Sequence, residues 1–310
     1  MTLVIFCFLF ILLIFLDITT FVASGRQGFA IFSSSVLPIL FPFFFITSLM
    51  VESGFFARFK NKTISVFFLS LIAGYPTSAR MLSELYEKGE ITRNCAIRTS
   101  TFTSVTSPIF VIATVGSALY GNIRIGLIIF VAMTIGAILN GVLYRKVSFK
   151  SQIKSSRIAV TSSQSEHQDN VINVVSEKPD KRRSTNDSIL NALQSSMQSI
   201  LMVGGLIVLF FIFAGQIDSL FNLSTNFDIV LSSILEMTRG IFLLSTLDSA
   251  TTIFHIVIGT AILSFGGLCI GMQGFLFFKK FNMPFWFYLL YKVTHAILSV
   301  CVALILVMLI

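Results

Sequence analysis

Apolar stretches alternate with short polar stretches along this 310-residue chain, and the apolar stretches differ in length and regularity. Five uninterrupted apolar runs, at 2–21, 31–51, 122–144, 189–216 and 284–310, are each long enough to cross a bilayer core of about 30 Å as a helix. Pro38 and Pro42 make the second of them an irregular or kinked span. The pattern predicts an all-α polytopic membrane protein.

Two further apolar stretches, 63–85 and 228–247, are short and broken. In the first, the apolar part covers 63–75, which is about 20 Å of helix and too short for a bilayer core. Gly74 then frees the backbone and Pro76 removes a backbone donor. We expect each stretch to be a re-entrant hairpin that enters and leaves the membrane on one side. A kinked helix with a snorkelling Arg80 is the alternative.

Two long stretches, 99–119 and 250–278, are broken by Thr106-Ser107-Pro108 and by Gly266-Gly267. We expect both to be discontinuous helices. Each half of the chain then has the same order of elements, namely a span, a short broken segment, a broken helix and a span. Three crossings in each half give the halves opposite orientations. The sequence therefore predicts an inverted repeat, which is an architecture of secondary transporters.

A polar segment without apolar periodicity, rich in Ser, Lys and Asn, separates the two halves. The predicted division is an N-terminal transmembrane helix at 1–24, a first repeat at 25–145, a disordered linker at 146–187 and a second repeat at 188–310. The first helix has the alternative of being a cleaved signal peptide, but no basic residue precedes its apolar run, which favours a retained helix. With that helix, the chain has about seven crossings.

Composition agrees with a membrane protein, because 55% of the residues are hydrophobic and 12% are charged, whereas soluble domains have about 25% charged residues. The net charge of +8 lies in the loops, so it reports topology and does not indicate nucleic-acid binding. If the first hairpin is re-entrant, Lys62 and Arg93 lie on the same side as the linker. The positive-inside rule then predicts a cytoplasmic linker in a multi-pass protein of the bacterial inner membrane.

Five motifs stand out along the chain: LFPFFFITSLM, LSLIAGYPTSARMLSELYEKGEITR, TSPIFVIATVG, ILEMTRGIFLL and SFGGLCIGMQ. They resemble the YlbJ-type integral membrane proteins of the nucleoside-recognition or Gate-domain superfamily, which has relatives among concentrative nucleoside transporters. The resemblance covers about 31–145 and 190–300 and implies two Gate-like repeats. It also implies dipicolinate export during sporulation, hence a small aromatic dicarboxylate as substrate. Cys269 and Gly271 stand where the family motif has Ser and His, and Val105 and Thr106 stand where asparagine-rich sequence is expected.

The two arginines that follow the hairpin breaks, Arg80 and Arg239, are predicted to clamp an anion, since a guanidinium binds a carboxylate through two hydrogen bonds. The alternative is internal ion pairing, because Glu84 follows Arg80 by four residues and Glu236 precedes Arg239 by three. Candidate substrate-binding residues lie at or near the four breaks: Gly74, Tyr75, Pro76, Thr77, Ser78, Arg80, Thr106, Ser107, Pro108, Glu236, Thr238, Arg239, Gly266, Gly267 and Gln273.

Three other ionisable residues, Lys292, His255 and His295, lie in membrane segments. Each histidine could relay protons, although a lone helix histidine more often hydrogen-bonds locally. No catalytic ordering, metal motif or phosphate-binding loop is present in the sequence, so no enzyme activity and no cofactor are expected. The sequence favours a carrier for a small organic anion. A nucleoside or other polar solute and a non-transporting membrane scaffold are the alternatives, and a homo-oligomer is left open.

Overall fold

The computed structural model describes residues 17–53, 55, 61–149, 185–221, 224–247 and 251–309. Most of the predicted helix 1–24 and of the linker 146–187 lies outside these residues. The described residues form twelve α-helices and no strand, which confirms the all-α class. Their bounds are α1 Ile18–Ile31, α2 Leu37–Glu52, α3 Lys62–Ala73, α4 Thr77–Glu87, α5 Arg93–Thr103, α6 Ile123–Leu143, α7 Thr185–Phe221, α8 Thr225–Leu235, α9 Met237–Ser245, α10 Thr252–Phe265, α11 Gly267–Phe278 and α12 Phe285–Leu309.

Helices α1 and α2 form one continuous but irregular rod, joined by the π-helical turn Phe32–Val36. The rod begins at Asp17, whose carboxylate accepts the backbone N–H of Thr20 at 3.0 Å and so caps α1. The predicted boundary between residues 24 and 25 therefore falls inside a helix. Pro42 lies within α2, as the expected irregular span requires.

The first short segment is a helical hairpin. Helices α3 and α4 meet at Gly74, which has φ 74° and ψ −172°, a conformation that is essentially restricted to glycine. Lys62 begins α3 and Glu90 follows α4, and their side chains form an ion pair of 3.1 Å. The hairpin thus returns to the side on which it began. The alternative of a single kinked helix is excluded.

The second short segment is also a hairpin, with α8 and α9 joined at Glu236. The extended backbone of Glu236 breaks the helix, and its carboxylate caps α9 by accepting the backbone N–H of Arg239 at 2.8 Å. The two legs are so close that a Cβ on Gly240 would overlap the backbone of Ser233.

Both predicted discontinuous helices are present. Helix α5 ends at Thr103 and resumes as the π-helical segment Ile109–Leu119, while α10 ends at Gly266 and continues as α11. Each hairpin tip packs against the break that follows it in the chain. The Tyr75 N–H donates to the Val105 carbonyl at 2.9 Å, and a Cβ on Gly267 would lie 3.2 Å from the backbone nitrogen of Met237. Both halves therefore share one local arrangement.

The hairpins open on opposite faces of the molecule. Near the open end of the first, Lys280 pairs with Glu87 at 2.7 Å and Lys88 pairs with Glu52 at 3.3 Å. We call this end, together with Lys62, the basic face. The second hairpin begins at Thr225, shortly after α7 ends at Phe221, so its open end lies with the far end of α7. This is the relation that an inverted repeat requires, although superposition of the halves stays a prediction.

Four helical stretches of the described residues are long and apolar enough to span a membrane: 123–143, 186–221, 252–281 and 285–309. The described residues also contain shorter apolar helices, at 40–50, 62–73, 109–119 and 225–235. The last spans of the two halves, α6 and α12, pack along each other. The chain is a polytopic all-α membrane protein.

Candidate functional site

A cavity of about 90 Å³ lies where the two hairpin tips approach the broken helices. It has room for several water molecules. Six predicted site residues line it: Tyr75, Thr106, Ser107, Glu236, Thr238 and Gln273. The rest of its wall is mostly apolar and comes from Val36, Leu40, Ala73, Phe110, Ile207, Met237 and Ile270.

Tyr75 is the cavity residue of the first hairpin tip. Its ring packs against α11 at Gly274. The lack of a side chain at that position makes room for the ring, since a Cβ on Gly274 would overlap the Tyr75 hydroxyl. The side chain is 9% exposed. Within the described residues its hydroxyl makes no direct hydrogen bond that satisfies the usual distance and angle limits, although the Tyr288 side chain lies close enough to interact with it. An unpaired buried hydroxyl costs free energy, so this group is a candidate donor for a water molecule or a solute.

The second hairpin tip contributes Glu236 and Thr238. The Glu236 side chain is buried, and its carboxylate serves as the cap of α9. Three helical segments begin at the cavity: α4 just after Tyr75, the π-helical segment just after Ser107, and α9 beside Glu236. Helix N-termini favour negative charge. Glu236 is the acidic side chain that the chain itself supplies there.

The polar groups of the broken helices complete the cavity. Thr106 donates its hydroxyl to the Leu263 carbonyl at 3.2 Å, which links the break in the first half to the end of α10. Gln273 lies on α11 and donates to the Cys269 sulfur at 3.3 Å. Two polar side chains from different halves therefore face the same cavity.

The structure does not place Arg80 where it could clamp an anion in the cavity. Arg80 is 2% exposed and does not line the cavity. Its guanidinium pairs with Glu84 at 2.8 Å and donates to the hydroxyls of Ser48, Ser195 and Ser196 at 2.9, 2.8 and 3.3 Å. The Phe44 carbonyl also accepts, at 3.5 Å. A guanidinium has five N–H donors, so Arg80 is fully engaged in joining α4 to α2 and α7.

Arg239 is likewise engaged away from the cavity. It pairs with Asp218 and Asp228, each at 3.3 Å, and its backbone N–H is the one that Glu236 accepts. Arg80 and Arg239 contact α7 at Ser196 and Asp218, which are about 33 Å apart along a straight helix. The two arginines cannot flank one cavity. The alternative of internal ion pairing applies to both, with Asp218 and Asp228 as the partners of Arg239.

The remaining predicted site residues lie at the breaks without lining the cavity: Gly74, Pro76, Thr77, Ser78, Pro108, Gly266 and Gly267. They determine where helices stop and how closely the tips approach. Gly74, for example, faces Ser107, whose backbone nitrogen would lie 2.7 Å from a Cβ at that position.

The prediction of the site omitted Lys292. This residue lies on α12, is 2% exposed and donates to the Ser104 carbonyl at 3.1 Å. A lysine inside an apolar span was the available signal, because ionisable residues in membrane segments face the protein interior. Within the described part of the chain, no group of three His, Cys, Asp or Glu residues could hold a metal ion.

The fold and the cavity define a polytopic membrane protein with a buried polar site between broken helices. The chain is 24% identical over 282 residues to the sporulation integral membrane protein YlbJ of Bacillus subtilis strain 168, covering 81% of this chain and 68% of that protein. This similarity supports a YlbJ-type membrane protein, as the motifs predicted. No protein-family model matches the chain, and no solved structure matches it.

Proposed function

We propose that this protein is a carrier that moves a small polar solute across the membrane through the central cavity. The observation that carries the proposal is the convergence of two hairpin tips and two helix breaks on one buried polar site. Non-helical backbone at membrane depth is tolerated where it is buried in protein or lines a cavity, and transporters place binding sites there. The hairpins open on opposite faces, so each is a candidate gate.

The proposed substrate is a small organic anion, with a dipicolinate-like dicarboxylate as the first candidate. Three helix N-termini at the cavity support a negatively charged solute. The similarity to a sporulation membrane protein supports a role connected with sporulation. Tyr75, Thr238 and Gln273 are the uncharged polar groups that would contact the solute. Because Glu236 would repel a carboxylate when ionised, Glu236→Gln is expected to strengthen anion binding.

The proposed location is the bacterial inner membrane, with the basic face and the linker in the cytoplasm. The clustering of Lys62, Lys88 and Lys280 at one face supports this orientation. The bilayer is the only extended partner proposed, with no nucleic acid, no cofactor and no enzyme activity. A homo-oligomer stays an open alternative.

Counterflow of radiolabelled dipicolinate in proteoliposomes tests the proposal, with other dicarboxylates and nucleosides as competitors. We expect Tyr75→Phe to lower counterflow roughly ten- to a hundredfold, because it removes one hydrogen bond to a charged solute, worth about 1.5–3 kcal/mol. Tyr120→Phe is the matched control: its hydroxyl is also buried without a partner in the described residues but lies outside the cavity.

Competition by nucleosides but not by dicarboxylates would assign the cavity to the alternative solute class. Wild-type protein that exchanges none of these solutes would instead favour the non-transporting scaffold. If Tyr75→Phe and Tyr120→Phe lowered counterflow equally, the cavity would not be the site through which the solute passes.

A further inference from the structure

Lys292 is a buried lysine on α12 that does not line the cavity. Its amine donates one hydrogen bond, to the Ser104 carbonyl at 3.1 Å, and lies 6.0 Å from the centre of the Tyr75 ring. Among the described residues it has no ion-pair partner. Tyr75, which lines the cavity, is therefore also a neighbour of Lys292.

The amine lies at the ends of two half-helices. Ser104 is the C-cap of α5, and Gly266 is the C-cap of α10. A Cβ on Gly266 would be 3.7 Å from the Lys292 nitrogen. Helix C-termini favour positive charge, and the C-terminal ends of broken helices hold the coupling Na⁺ or H⁺ in transporters. Lys292 therefore places an ammonium where a coupling cation would be stabilised.

The same surroundings do not satisfy the ammonium completely. It has three N–H donors, of which one has an acceptor among the described residues. Unpaired donors in a dry site are costly, and a buried lysine can lose its proton whereas an arginine stays charged. The helix ends support the charged form, and the missing acceptors support the neutral form. Both protonation states are therefore accessible to the protein during a transport cycle.

Among the described residues, the titratable side chains placed near Lys292 are the rings of tyrosines and a histidine, and one of these rings lies close to a thiol. Tyr75 faces it from the first hairpin, and His295 lies one turn further along α12. One ring nitrogen of His295 is 3.1 Å from the Met133 carbonyl on α6, and the backbone of Ser264 on α10 is its second partner. The remaining neighbours are Tyr291, which contacts the Ser104 hydroxyl, and Tyr288, which lies close to Cys269 of α11.

We propose that Lys292 is a proton-binding site that couples solute transport to proton movement. The proposal rests on the proposed carrier function and adds its coupling ion. In one state the Lys292 amine takes a proton from hydronium on one face and becomes an ammonium held by the two helix ends, so an O–H bond breaks as the N–H bond forms. When the hairpin and the half-helices move apart, the ammonium gives that proton to water on the other face, so the N–H bond breaks as an O–H bond forms.

The experiment compares two transport modes in the same proteoliposomes. Counterflow of labelled dipicolinate at equal pH measures solute exchange, and uptake driven by an imposed pH gradient measures coupling. We expect a gradient of one sign to drive accumulation by the wild type. In Lys292→Met and Lys292→Arg, the ratio of gradient-driven uptake to counterflow is expected to fall roughly tenfold or more. The first variant cannot hold the proton and the second cannot release it. Lys280→Met, at an exposed ion pair, is the control and should keep the wild-type ratio.

The outcomes separate this inference from the proposed function. If the wild type shows counterflow but the pH gradient has no effect on uptake, proton coupling is overturned and the proposed carrier function stands. This result does not depend on whether the variants fold. Wild-type coupling ratios in either Lys292 variant would overturn the role of this residue. No counterflow with any tested solute would refute the carrier function, and the coupling proposal with it. Size-exclusion profiles of the purified variants identify any that misfold.

Discussion

At the scale of single residues, Arg80 shows which contacts can be predicted from spacing in the sequence and which cannot. Its pairing with Glu84 follows from the four-residue interval, which puts both side chains on one face of α4. Its other partners, Ser48, Ser195 and Ser196, are on α2 and α7. Small hydroxyl residues are common in membrane helices and give no signal in sequence that they surround a guanidinium. The role of Arg80 therefore changes from substrate binding to helix packing.

Arg80→Ala is expected to destabilise the protein by about 3–5 kcal/mol, because it leaves Glu84 without its partner in a largely buried site. Arg80→Lys should recover only part of this, since an ammonium has three donors instead of five. The measurement is thermal unfolding in detergent, followed by size-exclusion chromatography. Lys280→Ala, which breaks an exposed pair, should cost less than about 1 kcal/mol. Normal stability of Arg80→Ala with a loss of transport would restore the anion-clamp interpretation.

At the scale of elements, the breaks could be predicted and their contacts could not. Gly74 and Pro76 indicate the first tip, and Gly266 indicates the second helix break, because these residue types interrupt helices. The break at Glu236 follows an apolar run that contains neither glycine nor proline. The Glu236 carboxylate accepts the Arg239 backbone N–H, which would otherwise lack a partner at the start of α9. That each tip packs on the following break is a tertiary property. The π-helical winding of Ile109–Leu119 also has no sequence signal that we recognise.

Gly74→Ala tests the contact between the first tip and the first break. The substitution forces a Cβ into a backbone conformation that excludes it and to within 2.7 Å of the Ser107 nitrogen. Gly89→Ala is the control, since Gly89 also has positive φ (68°) but nothing lies within 4 Å of the added Cβ. We expect Gly89→Ala to cost about 1–2 kcal/mol with normal counterflow. Gly74→Ala should cost more and should lower counterflow, and equal losses would show that the tip contact has no role in transport.

At the scale of the whole molecule, the repeated order of elements and the opposite openings of the hairpins were both predictable. The order follows from apolar run lengths, and the openings follow from the distribution of basic residues. The packing of α6 along α12 was not predictable, because two uniformly apolar helices carry no pattern that selects a partner. Lys292 is visible in the sequence as a lysine inside an apolar span, but its neighbours are not, because the two helix ends meet it only in the folded protein.

The orientation of the whole molecule leads to the last prediction, tested by cysteine labelling in intact cells. In a background without Cys7, Cys95, Cys269 and Cys301, single cysteines are placed at Ser162 in the linker and at the exposed Thr246 after α9. Because the positive-inside rule predicts that the basic face lies in the cytoplasm, an impermeant maleimide should label Thr246→Cys from outside and reach Ser162→Cys only after lysis. The reverse pattern would invert the topology. Labelling of both from outside would mean that α7, which lies between them, does not cross the membrane, and the inverted repeat would then be wrong.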